Sequence, residues 1–378
     1  MALAVFILAM ALAAWAFIGY PVLAIMLAHR HRRSTPRTRD AAGAQVEKQV
    51  AVTVVIAARN EGTRIESRIR NLLESDFPPG ALKILVADDG SNDDTTDRVL
   101  AVADQRVSVI TLKEPVGKAL ALSAAMRQVE TPVTVFADAR QNFSPNALPC
   151  LAAAFTDSGV GGASGRLVLH GTEALGLYWR LESALREAES TLGWAHAASG
   201  AVYAIRSELF QPLPAGLLLD DVYTPLQIVQ RGYRIAYVAE ALAIEPDPTP
   251  PRQEFIRKIR TLSGNWQLIA LAPWLLLPWR NRVFFAWASH KLARLLAPWA
   301  LLIALLTSLL GPGVMLEWAF RLQLFAYGIA LLALAAPNLA RKVPMAPAAG
   351  SFLLLNAAAL LSLPAYLGRR DPSRLWKG

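Results

Sequence analysis

Four stretches of the chain carry no charged residue: Met1 to Ala28, Leu295 to Leu316, Leu322 to Ala340 and Val343 to Gly368. Each is long enough to cross a hydrocarbon core, which takes roughly 20 residues of helix. They flank a region of ordinary polarity rather than interrupting it, so transmembrane helices explain them better than buried helices of a soluble core. Between the first and second stretches the pattern shortens. Val50 to Ala57 is a β-branched apolar run suited to a strand buried on both faces. A helix is predicted from Arg64 to Leu73, closed by Asp76-Phe77-Pro78-Pro79-Gly80. Strands at Lys83 to Ala87, Val107 to Leu112 and Val133 to Ala137 then alternate with helices at Asp93 to Ala103 and Lys118 to Val129. Such alternation predicts an α/β fold with a parallel sheet and right-handed crossovers.

Further on, Gly159 to Gly165 reads as a glycine-rich approach to a strand at Arg166 to Leu169, followed by a helix from Glu173 to Leu192. A glycine-led strand runs from Ser199 to Arg206, a helix from Asp220 to Gln230 and a strand from Tyr233 to Val238. From Glu254 to Ala270, Ile256, Ile259, Leu262, Trp266 and Ile269 recur at helical spacing with Arg257, Lys258 and Arg260 between them. That is an amphipathic helix suited to a membrane interface, and Trp274, Trp279, Trp287 and Trp299 fit the same belt. No internal repeat is evident. The pattern divides the chain into an N-terminal transmembrane anchor (1-28), a basic juxtamembrane linker (29-49), the α/β domain (50-250), amphipathic interfacial helices (251-292), three transmembrane helices (293-368) and a basic tail (369-378).

Composition agrees with a membrane chain: of 378 residues, 54% are hydrophobic and only 18% charged, too apolar for a purely soluble protein of this length. Arg30, Arg32, Arg33, Arg37 and Arg39 follow the first stretch with no acid before Asp40, which holds that end in the cytoplasm. A cleavable signal peptide would carry its charge before a shorter apolar core, so the first stretch is expected to stay as an anchor. The α/β domain is then cytoplasmic, where the lone Cys150 needs no disulfide. A net charge of +9 reads as attraction to a membrane surface. Nucleic acid is disfavoured, because the arginines cluster beside apolar spans rather than among exposed aromatics. Counting spans puts the C-terminus outside, although Arg369, Arg370, Arg374 and Lys377 favour the inside; the stronger early cluster decides the expectation.

Candidate chemistry gathers at strand ends. Ala57-Ala58-Arg59-Asn60-Glu61 and Asp88-Asp89-Gly90-Ser91 each follow an apolar run, where ligands of open α/β sheets collect and carboxylates can accept hydrogen bonds from a base and a ribose. The same residue types also build turns and helix caps. Lys118 begins a helix, where backbone amides favour an anion, and it also reads as a solvated lysine. Asp138, after the strand ending at Ala137, suits a Mg2+ or Mn2+ ion bridging a diphosphate, with Arg140 standing two residues on. The paired acids Asp220 and Asp221 suit a general base, since like charges raise one pKa, or a helix N-cap. Arg257 and Arg260 lie one turn apart and suit a departing diphosphate or lipid headgroups. His170, His196 and His290 have no ligand-like spacing and read as structural.

Taken together, Ala57-Ala58-Arg59-Asn60-Glu61, Asp88-Asp89-Gly90-Ser91, Gly117-Lys118-Ala119, Phe136-Ala137-Asp138-Ala139-Arg140, Ser199-Gly200-Ala201 and Leu219-Asp220-Asp221 resemble, in order and spacing, the membrane-bound family 2 glycosyltransferases. Cellulose, chitin, hyaluronan and nodulation-type chitooligosaccharide synthases belong to that group. The resemblance covers about residues 50 to 270 and the layout of one span before and several after. It implies a Rossmann-like, mostly parallel GT-A domain, a UDP-sugar donor and inversion at the anomeric carbon. By position, Glu61 and Asp89 would meet the nucleoside, Lys118 the phosphates and Asp138 a Mg2+ or Mn2+ ion on the diphosphate; Ala57, Arg59, Asp88 and Arg140 fall in the same donor site, where Arg140 either touches the diphosphate or marks a weakened metal site. Asp221 would be the base, supported by Asp220, with Gly200, Arg257 and Arg260 on the diphosphate and acceptor side. Two departures stand out. Arg140 replaces the second acid of Asp-x-Asp, and Arg257-Lys258-Ile259-Arg260-Thr261 replaces Gln-x-x-Arg-Trp, leaving Trp266 as the candidate acceptor platform. The expectation is a hexosyltransferase of the bacterial inner membrane that makes or extends an envelope polysaccharide or glycolipid, with a glycan or lipid acceptor and room for an export partner protein. Alternatives are non-processive transfer to a lipid, or a nucleotide-sugar-binding subunit without catalysis.

Overall fold

The β-branched runs form the middle of one eight-stranded sheet of order β3-β2-β1-β4-β7-β6-β8-β5. The computed structural model describes residues 1–34, 50–169, 176–245, 251–340, 342–343 and 345–368. Most of the basic linker, His170 and the basic tail lie outside the described residues. The chain begins with α1 (Ala2–Ala14) and α2 (Tyr20–Ser34), joined by one π-helical turn. Then come β1 (Val52–Ala58), α3 (Gly62–Leu73), β2 (Leu82–Asp88), α4 (Thr95–Ala101), β3 (Val107–Thr111), α5 (Lys118–Met126) and β4 (Val133–Ala137). These are the alternating units expected from the sequence, and β3-β2-β1-β4 are all parallel. Because β2 lies on one side of β1 and β4 on the other, the order reverses at β1 and opens a crevice beyond the strand ends.

The second half is mixed. It comprises β5 (Asn142–Phe143), α6 (Ala147–Ala153), β6 (Val160–Leu169), α7 (Gly176–Thr191), β7 (Val202–Arg206), α8 (Asp220–Gln230) and β8 (Arg234–Glu245). β7 runs antiparallel to β4 and β6, while β6 and β8 are parallel. The glycines of 159–165 are not a loop before a short strand; most of them are the strand. A Cβ on Gly161 would lie 2.6 Å from Ile228 Cγ2, and one on Gly165 would lie 2.5 Å from the Ala241 carbonyl. Glycine is there because neighbouring elements leave no room for a side chain.

Alternate residues of β1 point to opposite faces. Val52, Val54 and Ile56 pack on Ile65, Ile69 and Leu72 of α3, whereas Val55 joins Leu122 of α5 and Leu226 of α8. Burying each such side chain contributes about 1.5–3 kcal/mol, which fixes β1 in register with β2 and β4, Ala58 opposite Asp88 and Ile56 opposite Ala137, so that the three strands end at one edge of the sheet.

After α9 (Pro251–Leu271) the chain runs through α10 (Phe284–Trp287), α11 (Ala293–Leu310), α12 (Val314–Ala335), α13 (Pro337–Ala340) and α14 (Ala346–Leu367). Among the described residues, four helical segments are long and apolar enough to cross a membrane: Ala2–His31, Phe284–Leu310, Val314–Ala335 and Ala346–Leu367. That is one before the α/β domain and three after, as the sequence pattern requires. The starts of the second and third spans differ most from it. The second span starts at Phe284, because a π-helical turn at Ala288–Leu292 joins α10 to α11 through His290 and Lys291. The third starts at Val314, so Glu317 and Arg321 fall inside it rather than between spans; they pair at i,i+4 and both are exposed. Long side chains near a helix end can reach back to the interface, which makes the pair tolerable there. α1 packs on α11 through small residues, Ala9 against Ala300 and Ala304, and Ala16 meets Ala293 and Ala297. Small side chains let helix backbones approach where lipid offers no hydrophobic drive.

Candidate active site

The two acidic turns are tied to each other before they meet any ligand. The Asn60 amide donates to Ser91 Oγ (2.9 Å), the Asn92 amide to Asn60 Oδ1 (2.9 Å), the Glu61 amide to Thr95 Oγ1 (2.9 Å) and the Gly62 amide to Asp93 Oδ2 (3.0 Å). Asp88 is buried, and it accepts from the Ser91 amide (2.9 Å) and the Thr96 hydroxyl. Asp89, also buried, accepts from the amides of Val116 (2.7 Å) and Gly117 (2.9 Å). Burial pushes the Asp89 carboxyl up, against those amides and the nearby Arg59 guanidinium. Gly90 has φ 62, and a Cβ there would sit 2.9 Å from the Pro115 nitrogen, so the turn is open only to glycine. Asp88 thus holds the turn into α4, and Asp89 braces the loop that delivers Lys118. Glu61 stays near the surface in an ion pair with Arg64 (3.3 Å), and Ala57 and Arg59 are half-buried at the end of β1.

Lys118 joins the two halves of the sheet. Its Nζ lies 3.1 Å from Asp138 Oδ1, just past β4, and 3.3 Å from Asp220 Oδ1, at the start of α8. Burial pulls Lys118 down, but Asp138, Asp220 and Asp221 outweigh it and the pKa is raised, so the lysine stays charged. The other Asp220 oxygen accepts from the Tyr203 hydroxyl (3.0 Å). Asp221 is pushed up to about 6, first by burial and then by Asp220, with Lys118 and Lys291 opposing. Asp220 is therefore tied on both sides, while Asp221 is the member of the pair poised to take a proton. Gly200 stands against it: a Cβ there would be 3.0 Å from Asp221 Oδ2.

Asp138 is positioned through its backbone. Arg68, 1% exposed, donates from Nε to the Asp138 carbonyl (3.2 Å), stacks over Phe143 (4.0 Å) and hydrogen-bonds Asn71, which holds both backbone groups of Phe143. One Asp138 oxygen is taken by Lys118; the other has no hydrogen bond among the described residues, and its side chain is 30% exposed. A single open carboxylate fits an ion of the Mg2+ or Mn2+ class, which keeps water and phosphate ligands and needs only one or two protein acids. Arg140 is exposed in place of a second acid.

The basic helix reaches the same region with one residue more than the other. Arg257, Arg260, Gly264 and Gln267 share one face of α9 by their spacing. Gln267 bonds the Leu218 amide (3.0 Å) and the Gly216 carbonyl (2.9 Å), and Gly264 backs onto Leu219, so this face is held against the segment leading into Asp220. Arg260 is pulled down by burial and by Arg140, with Asp138 opposing, which places it in the field of both. Arg257 is engaged by Glu254 (2.6 Å) and Glu245 (3.4 Å). Trp266 faces elsewhere: its Nε1 donates to Ser362 Oγ of α14 (3.0 Å), beside a bond from Ser263 to the Ser362 carbonyl (2.9 Å). The amphipathic helix thus packs on α14 as well as on the catalytic domain.

Sequence reasoning brought Lys118, Asp138, Asp220 and Asp221 to one place, and the fold does the same. It missed Arg68, Tyr203 and Lys291. Arg68 and Tyr203 lie on faces whose pattern signals only a core helix and a strand, and Lys291 lay in a segment expected at the interface.

Residues 53–210 match the model of Glycosyl transferase family 2. The chain is similar to an N-acetylglucosaminyltransferase of Rhizobium meliloti (strain 1021), 27% identical over 226 residues that cover 53% of this chain and 53% of the relative. An N-acetylglucosaminyltransferase of Bradyrhizobium diazoefficiens is 24% identical over 250 residues, 60% of this chain and 51% of that one. The chain spans about half the length of the curated relatives it matches. Among solved structures, the mannosyltransferase PcManGT of Pyrobaculum calidifontis, in complex with GDP-Man and Mn2+, matches at a TM-score of 0.72 and 24% identity over 96% of this chain and 99% of that one. That likeness is one of fold, and it extends through the membrane helices.

Proposed function

We propose that this chain, whose residues 53–210 match the model of Glycosyl transferase family 2, transfers a sugar from a UDP-sugar to an acceptor hydroxyl at the inner face of the bacterial inner membrane, with inversion. The observation that carries this reading is Asp221: a half-buried carboxyl beside Asp220, its pKa raised to about 6, and glycine at 200 leaving space in front of it. Asp221 takes the proton of the acceptor hydroxyl as its oxygen forms the new bond to the anomeric carbon, and the nucleoside diphosphate leaves with the bonding pair. Lys118, Arg260 and Arg140 neutralise the diphosphate. Asp138 would hold a Mg2+ or Mn2+ ion, which supplies further positive charge to the phosphates. The turn at 59–61 and the loop braced by Asp89 form the nucleoside end.

The names of the relatives make N-acetylglucosamine the first sugar to try. A panel of labelled UDP-sugars, with GDP-mannose as the contrasting donor, is offered to membranes containing wild type or Asp221→Asn protein. We expect incorporation by wild type and a loss of roughly 10²–10⁴-fold in the variant, the range of a positioned base. Equal incorporation by both would remove Asp221 from its role. No incorporation with any donor would favour a sugar-nucleotide-binding subunit.

Non-processive transfer to a lipid is favoured over polymer synthesis by one contact. Thr261 stands where processive relatives of this type carry tryptophan, and Trp266 is committed to Ser362, so neither offers a platform for a growing chain. One added sugar on a lipid supports this reading, and a ladder of long products excludes it.

A further inference from the structure

The three α/β-domain residues Glu182, Glu189 and His196 meet Tyr20 of the first span and His290 and Arg294 of the second in one buried polar cluster. We propose that Glu189, His196 and His290 are the ligands of a Zn2+ ion at the junction of the catalytic domain and the membrane helices. One potential ligand atom from each residue lies within 4.8 Å of the others, and all three side chains are at least 95% buried. Two imidazoles and a carboxylate are a recurrent zinc set, with water as the fourth ligand.

The surroundings orient each ligand. His196 Nδ1 lies 3.1 Å from the Trp194 carbonyl, to which it donates, and this tautomer leaves the Nε2 lone pair free. His196 Nε2 is buried with no hydrogen-bond partner among the described residues. A buried polar atom left without a partner costs about 1–3 kcal/mol, and a metal ion is what it lacks. His290 presents Nδ1 to Glu189 Oε1 (2.8 Å) and Nε2 to Glu182 Oε1 (3.4 Å), so Nε2–H can donate to Glu182 while Nδ1 binds the ion. Glu189 accepts from the Tyr20 hydroxyl (2.7 Å), and Glu182 is anchored by Arg294 (3.0 Å). Hydrogen bonds of this kind behind metal ligands set their tautomer and aim. The same contacts around His290 suit an imidazolium between two carboxylates; that arrangement leaves His196 Nε2 unexplained.

The ion would clamp the segment that carries the active site. The loop after His196 gives the Ala198 amide to the Asp221 carbonyl (2.8 Å) and places Gly200 against Asp221. Binding replaces the proton shared by His290 Nδ1 and Glu189, with no redox step.

The test is metal content of the full chain, purified in detergent without chelator. About one Zn2+ per chain is expected in wild type and in Asp138→Asn, and a drop of about tenfold or more in His196→Ala and His290→Ala. Co2+ added to metal-depleted wild type should give the visible absorption of a four-coordinate site, a readout that needs no variant to fold. Wild type without bound Zn2+ and without the Co2+ bands would overturn the proposal. Full zinc content in the doubly substituted His196→Ala, His290→Ala chain would overturn it equally.

Discussion

At the scale of single residues the site is an electrostatic balance around one lysine. Asp221 has its pKa raised to about 6 by burial and Asp220, so it is a base above that pH and a neutral acid below it. Transfer per enzyme should therefore fall as pH drops through about 6 and level off above 7, read as kcat/KM against pH. Lys118 opposes the shift, so Lys118→Met should move the rising limb to higher pH as well as lower the plateau; a limb that stays in place would mean another group sets it. Gly200→Ala puts a methyl 3.0 Å from Asp221 Oδ2 and should cost mainly kcat, with the donor KM little changed. The acids and Lys118 were legible in the sequence because strand ends and helix starts announce themselves. Arg68 was not, because its contacts with Asp138 and Phe143 span about 70 residues and its own helix looks ordinary. Nor was the meeting of His196 with His290, whose rings lie 5.6 Å apart although 94 positions separate them in sequence.

At the scale of elements, pattern located most segments and erred where packing overrode it. The glycines of β6 look like a loop by composition, yet they mark a strand squeezed by Ile228 and Ala241. α9 has the pattern of a helix resting in an interface, and it also bonds α14 through Ser263 and Trp266 and the segment before Asp220 through Gln267. α9 therefore connects the membrane bundle to the base. Trp266→Phe removes the indole donor and leaves the buried Ser362 hydroxyl with its bond to the Ala359 carbonyl alone; a net hydrogen bond contributes about 0.5–1.5 kcal/mol. A fall in the detergent melting temperature with unchanged product length is the expected result. Shortened products would return Trp266 to acceptor binding.

At the scale of the whole molecule, crossing by all four candidate spans, with the α/β domain after the first, would place both termini on the side opposite that domain. With the domain cytoplasmic, a C-terminal tag should be cut by protease in spheroplasts and be protected in inverted vesicles; the reverse would show that one apolar helix does not cross. The basic residues near the two ends favour opposite answers, and the expectation rests on the stronger early cluster. The contact between the outermost spans adds a matter of timing. Trp15 donates to Ser289, 274 positions later, and α1 rests on α11. Ribosomes add roughly 5–20 residues per second, so the first helix waits in the bilayer for tens of seconds before its partner exists. Until then its alanine-rich face meets lipid tails, as apolar as itself, so the pairing of the outermost spans is a late step of assembly that completes the bundle only after the whole α/β domain has been made.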